Sequence, residues 1–253
     1  MGPSLRSLPR YLGTFQCQAL KLPERLSQAA NDNQTWLYVL FVLTPEISAG
    51  GLVLLSSILI KYLGFNSNTT LHFAMPGGGL QIFFRLLVGF IADRTRQRCL
   101  SAIRIQTVSL FAVSLLVGLG NVGPLYLRNG QLATYFIIIG SCAIGYCLLL
   151  SMVSSNVLGA TKKMTTNVIL FISMATAYLI GPQIFRNPLH YHKAKYATIG
   201  LWVGSILILV VMYFLNTLEN RKRDRDAEMN GPAPGVEFMN LTDKENKAFR
   251  YVV

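Results

Sequence analysis

Apolar runs of membrane-spanning length alternate with short polar links along this chain, and the pattern repeats six times. The runs predict helices over about Trp36–Ile60, Thr70–Ala92, Ser101–Gly120, Leu132–Met152, Met164–Phe185 and Lys195–Asn216. Each approaches the ~20 apolar residues that carry a helix across ~30 Å of hydrocarbon. The first run opens with Trp36 and Tyr38 and closes with Lys61 and Tyr62, residue types that anchor helix ends at a membrane interface. Between the second and third runs lies Gly89–Arg98, a hydrophilic turn short enough to force its flanking helices antiparallel. Residues 1–33 are polar and mildly basic, interrupted by Pro3, Pro9 and Pro23. After Thr217 the pattern ends: Glu219–Glu228 is almost all charge and Gly231–Gly235 is a Pro/Gly linker. The reading is an all-α integral membrane protein in three parts. These are an N-terminal segment (1–33), a six-helix bundle (34–216) and a largely disordered tail (217–253).

Composition agrees with that class. Of 253 residues, 52% are hydrophobic and 13% charged, where a soluble domain carries roughly 25% charged residues; mean hydropathy is +0.42. The net charge of +12 lies in the links and the tail rather than on one face, which argues for membrane topology and against a nucleic-acid partner. Sixteen of the 23 lysines and arginines fall in the N-terminal segment, the second and fourth links and the tail, against five on the opposite side. The excess assigns both termini to the cytosol. The sequon at Asn68 then falls outside, while those at Asn33 and Asn240 fall on the cytosolic side. The first thirty residues have no continuous apolar core for a cleaved signal peptide, and Arg6 stands where a myristoylation signal needs Ser or Thr. Cys17, Cys99, Cys142 and Cys147 have no metal-ligand spacing. No nucleophile–base pair or phosphate loop is visible, so neither an enzyme nor a resident cofactor is expected.

Polar groups at membrane depth are the candidates for chemistry, because they are costly there and usually face a bundle interior or a wet cavity. Glu46 lies ten residues into the first run, about 15 Å deep and close to the midplane. Its stem is too short to reach water. Pro45 before it predicts a kink or local unwinding, tolerated where a neighbour takes up the freed carbonyl. Gly78, Gln81, Arg85 and Gly89 make a small-and-polar stripe on the second helix. Arg85 can either snorkel to the headgroups or face a cavity as an anion contact or a partner for Glu46. Arg104 is a turn from the cytosol and reads as snorkelling. Ser173, Thr176 and Gln183 form a weaker stripe on the fifth helix, ahead of a break at Gly181–Pro182; such hydroxyls commonly serve helix–helix contact. The sixth run is apolar almost all round and reads as lipid-facing.

Gly89-x-x-x-Asp93-Arg94-x-x-x-Arg98 resembles the signature loop of the major facilitator superfamily. Gln34-Thr35-Trp36 with Gly50-Gly51 looks like the start of the seventh helix of the fungal anion:cation symporters, the allantoate permease group. Ser155-Asn156-Val157, Thr161-Lys162-Lys163, Asn167 and Ile180-Gly181-Pro182-Gln183 look like that group's tenth-to-eleventh helix region. Leu241–Asn246 with Phe249-Arg250-Tyr251 resembles its tail. Where the group usually has asparagines, a proline and Gly-Gly, this chain places Pro45, Glu46, Ser48 and Ala49.

The resemblance covers about residues 31–253 and implies helices seven to twelve of a twelve-helix carrier, the C-terminal bundle of a major facilitator fold. It implies proton symport of a small carboxylate such as allantoate, nicotinate or pantothenate. Glu46, Gln81, Arg85, Asn167 and Gln183 would lie along the substrate and proton pathway, and Gly89, Asp93, Arg94 and Arg98 would form the gating loop. Expected partners are the anion, a proton and the plasma-membrane bilayer. The resemblance implies a first six-helix half ahead of this sequence, whose absence is expected to reflect a truncated gene model or a degenerate gene. The alternatives are a non-transporting partner of a full-length carrier, or a homodimer in which two copies make twelve helices.

Overall fold

The computed structural model describes residues 31–54, 67–95, 97–119, 126–142, 144–184, 191–230 and 249–252. Seven helices account for nearly all of them: α1 (Asn33–Leu54), α2 (Ser67–Thr95), α3 (Arg98–Leu119), α4 (Tyr126–Cys142), α5 (Ile144–Asn156), α6 (Ala160–Ile184) and α7 (Tyr191–Asn230). No strand occurs among the described residues. Six spans are long and apolar enough to cross a membrane, with α4 and α5 together supplying one of them, Gly130–Asn156. The all-α, six-span architecture expected from the hydropathy pattern is therefore present, and it is consistent with one half of a major facilitator fold. The close of the first run at Lys61–Tyr62, the sequon at Asn240 and the tail motif Leu241–Asn246 lie outside the described residues.

α1 is the centre of the bundle. It packs most broadly along α6 and also against α7, while α3 contacts α4, α7 and α5, and α2 lies mainly on α4. Because α1 and α6 both begin at the end of the bundle that holds the α2–α3 turn, they run parallel. That end is called the basic end below. One apolar core joins Tyr38, Phe41, Leu149, Met152, Leu170, Leu209 and Met212. A second, further along, joins Ala49, Leu52, Ala112, Ile138 and Trp202. α7 accordingly buries one side against α1 and α3 and exposes the other, rather than being alike all round.

Two prolines expected to bend or break helices leave them unbroken. α1 continues through Pro45 and α6 through Pro182. At Pro45 the reason is local. Proline gives no N–H to the carbonyl four residues back, and the Thr44 hydroxyl instead donates to Phe41 O at 3.3 Å, shared with Leu40 O at 3.1 Å. The turn between α5 and α6 is made at Gly159, whose φ of 88° an L side chain rarely adopts. α7 extends to Asn230, past the Thr217 boundary from which the sequence expects a largely disordered tail, and a Glu219–Arg223 ion pair at i, i+4 supports the extension.

The α1–α6 crossing is built on glycine. A Cβ on Gly181 would lie 2.5 Å from Ile47 O and 2.6 Å from Gly51 N, and one on Gly50 would lie 2.9 Å from Tyr178 Cα. Backbone meets backbone here, the close approach that small residues permit between membrane helices. At the basic end the same two helices are joined by a buried ion pair, Lys162 Nζ to Asp32 Oδ2 at 2.6 Å. Asp32 also starts α1, its carbonyl accepting from the Thr35 and Trp36 amides.

Candidate functional site

The parallel packing of α1 on α6 sets the level at which each polar residue sits. Glu46 is 1% exposed, and its Oε1 has no hydrogen-bond partner among the described residues. It lies one turn before Gly50, so the glycine crossing holds it beside Tyr178 of α6. Three side chains from three other helices are close enough to interact with its charge: Arg85 of α2, Tyr146 of α5 and Tyr178 of α6. Arg85 makes no ion pair with Glu46 at contact distance. It is exposed on a helix that barely touches α1. The arrangement is a buried carboxyl, unpartnered at Oε1, within electrostatic range of one guanidinium and two phenols contributed by three other helices. Such an arrangement can hold a proton on the carboxyl and draw an anion toward the arginine.

Of the other pathway candidates, Gln81 is half-buried one turn from Arg85, on the same stripe as Gly78 and Gly89. Among the described residues nothing lies within 4 Å of a Cβ placed at Gly78 or Gly89 of that stripe. Asn167 and Gln183 are not at the Glu46 level. Sixteen residues apart on α6, they are separated by about 24 Å. Asn167 lies near the basic end, half-buried with Oδ1 unpartnered, while Gln183 is exposed at the far end. Tyr146 and Tyr178 are not singled out by sequence reasoning, because a tyrosine within an apolar run gives no polar stripe. Ser48, Gln106 and Trp202 add further unpartnered buried polar atoms to the interior; Gln106 packs against Gly145 and Phe41 is its neighbour there.

The α2–α3 turn divides its residues between two tasks. Asp93 and Arg94 are exposed at the basic end. Arg98 turns inward, 3.8 Å from Asp93 Oδ1, and donates to Ser151 O at 2.8 Å and to the Ser155 hydroxyl, both on α5. The turn is thus fastened to the end of α5 by Arg98 and presents Asp93 and Arg94 outward. The Asp93–Arg98 contact is long and 78% open on the Asp93 side, so it adds little; the hydrogen bonds to α5 carry the attachment.

Over about 90% of its length the chain is similar to fungal transporters. It is 30% identical over 243 residues to the allantoate permease of Saccharomyces cerevisiae, covering 90% of this chain and 44% of that protein. It is 29% identical to the MFS-type transporter cnsL of Penicillium expansum, covering 90% and 47%. To the thiamine pathway transporter THI73 of Saccharomyces cerevisiae it is 26% identical, covering 88% and 42%. The chain spans less than half the length of these relatives. No family model matches the chain, and no solved structure does. These relatives are transporters and permeases rather than enzymes, and with six spanning helices the chain is a multi-pass membrane protein. Among the described residues no group of His, Cys, Asp and Glu is arranged to hold a metal ion.

Proposed function

We propose that this chain forms the C-terminal half of a major facilitator carrier of the allantoate permease type, moving a small organic anion with a proton. The observation that carries the reading is Glu46, buried in the bundle with Oε1 unpartnered and within electrostatic range of Arg85. A carboxyl at this depth exchanges a proton at lower cost than it keeps a permanent charge. The similarity to transporters over about 90% of the chain supports the same reading. In this mechanism the anion's carboxylate meets Arg85 and the proton rides on Glu46. Tyr146 and Tyr178 offer hydroxyls to the rest of the substrate. The basic end faces the cytosol at the plasma membrane, and a second six-helix half meets the exposed Asp93–Arg94 turn. Alternating access is rocking of the two halves about this midplane site. Asn167 and Gln183 flank the pathway toward its two mouths.

The test is uptake of labelled small carboxylates in yeast lacking its own permease, with this chain expressed alone and together with a relative's first six helices. Uptake should rise as external pH falls, and Glu46→Gln should abolish that pH dependence. Arg85→Gln should raise KM for the anion roughly tenfold, the loss of one charge-assisted contact of about 1.4 kcal/mol. If the surface-expressed protein shows no uptake above vector in either arrangement, the transport reading fails. Unchanged kinetics in both variants would remove these two residues from the site.

A further inference from the structure

Residues 249–252 lie between the end of α5 and the Asn220–Asp224 stretch of α7, two helices that scarcely touch each other directly. Asn156 at the last position of α5 donates from Nδ2 to Val252 O at 3.0 Å and accepts the Val252 N–H on Oδ1 at 2.7 Å. Asn220 of α7 does the same to the residue before, donating to Tyr251 O and accepting the Tyr251 N–H, both at 2.8 Å. Successive residues of an extended chain present their N–H and C=O pairs to opposite sides. Two asparagines on opposite helices therefore read the backbone as neighbouring strands would. Side chains add the selectivity. Arg223 donates from Nη1 to Phe249 O at 3.0 Å and from Nη2 to the Tyr251 hydroxyl at 3.2 Å, and its guanidinium lies 4.7 Å from the Tyr251 ring centroid. Arg250 reaches Asp224 Oδ1 at 2.6 Å. Tyr251 is buried, as are Asn156 and Arg223.

We propose that Asn156, Asn220, Arg223 and Asp224 form a peptide-docking site whose ligand is this chain's own Phe249–Val252. Its docking staples α5 to α7 at the basic end. Asn156 adjoins Ser155, on which Arg98 of the α2–α3 turn lands. The staple and the turn are therefore held by consecutive residues of one helix end, and the docked segment fixes the platform on which the turn rests. The site does not depend on the transport reading, because it rests on the contacts made to Phe249–Val252 alone.

Hydrogen exchange measured by mass spectrometry on the full chain in lipid nanodiscs tests it. The peptide covering residues 249–253 should be protected at least tenfold relative to the same peptide free in solution. Asn220→Ala and Asn156→Ala should each remove most of that protection. Because an asparagine variant can disturb its own helix, a charge swap gives an independent reading. Asp224→Arg and Arg250→Asp should each speed exchange of the segment several-fold, and the double variant should restore protection. Protection must also survive tenfold dilution, since the ligand is tethered. Exchange at the free-peptide rate in the unmodified chain would overturn the proposal. So would indifference to all four substitutions, or protection that vanishes on dilution, which would make the docked segment a second copy's.

Discussion

The glycine crossing of α1 on α6 can be broken by one methyl group. In Gly181→Ala the new Cβ would sit 2.5 Å from Ile47 O and 2.6 Å from Gly51 N. Non-bonded carbon contacts settle at about 3.5 Å or more, so the two helices must part by roughly 1 Å at the crossing. The obstacle is backbone on both sides, and no side-chain rotation can relieve it. α1 and α6 share the broadest helix contact in the bundle, so a local separation is felt along both. Overpacking of this kind costs about 1–3 kcal/mol, offset by at most the ~1 kcal/mol by which alanine exceeds glycine in helix propensity. Gly200→Ala on α7 is the matched control, because its Cβ meets nothing. Reversible unfolding in mixed detergent micelles should place Gly181→Ala about 1–3 kcal/mol below that control, roughly a 5- to 150-fold shift in the folded ratio. Equal stability of the two variants would refute the backbone-on-backbone crossing, and with it the placement of Glu46 beside Tyr178.

Other substitutions probe the remaining joints. Lys162→Met leaves Asp32 buried without its cation and should cost about 3–5 kcal/mol by the same unfolding assay; pairing it with Asp32→Leu should recover much of the loss. Thr44→Val removes the hydroxyl that satisfies the carbonyl freed by Pro45 and should cost about 1 kcal/mol, with α1 amide exchange accelerating around Phe41. A Thr44→Ser variant keeps the hydroxyl and should behave like the unmodified protein. Arg98→Ala removes both bonds to α5 and should raise protease sensitivity of the α2–α3 turn, whereas Arg94→Ala, exposed at the same turn, should not.

Much of the architecture was legible because hydropathy is a local property. A run such as Met164–Phe185 must be a helix in lipid whatever it packs against, since each backbone N–H and C=O needs an internal partner there. Its boundaries were close: α6 runs Ala160–Ile184. Pro45 leaves α1 unbroken for an equally local reason. A proline removes one donor, and the adjacent threonine hydroxyl replaces it at the freed carbonyl. α7 was read as ending near Asn216 because charge was taken to end the helix, whereas charge ends only the membrane span. With Glu219 and Arg223 spaced at i, i+4 the helix itself continues.

Sequence alone determined the class of this protein, the number of spans, the basic end, and the position of Glu46 along its helix, since all of these follow from the order and spacing of residues along the chain. Tertiary structure decided which residues meet. Lys162 counts in the sequence as one more loop charge, yet α1 covers it and supplies Asp32 at 2.6 Å. Gly50 and Gly181, far apart in the chain, bring two backbones into contact because neither carries a side chain. That contact sets the register that puts Tyr178 at the Glu46 level and leaves Asn167 and Gln183 toward the two ends. Helical periodicity fixes a residue's face and height on its own axis. The neighbour across the gap depends on how two axes pack, which is settled by the close fit of groups distant in sequence.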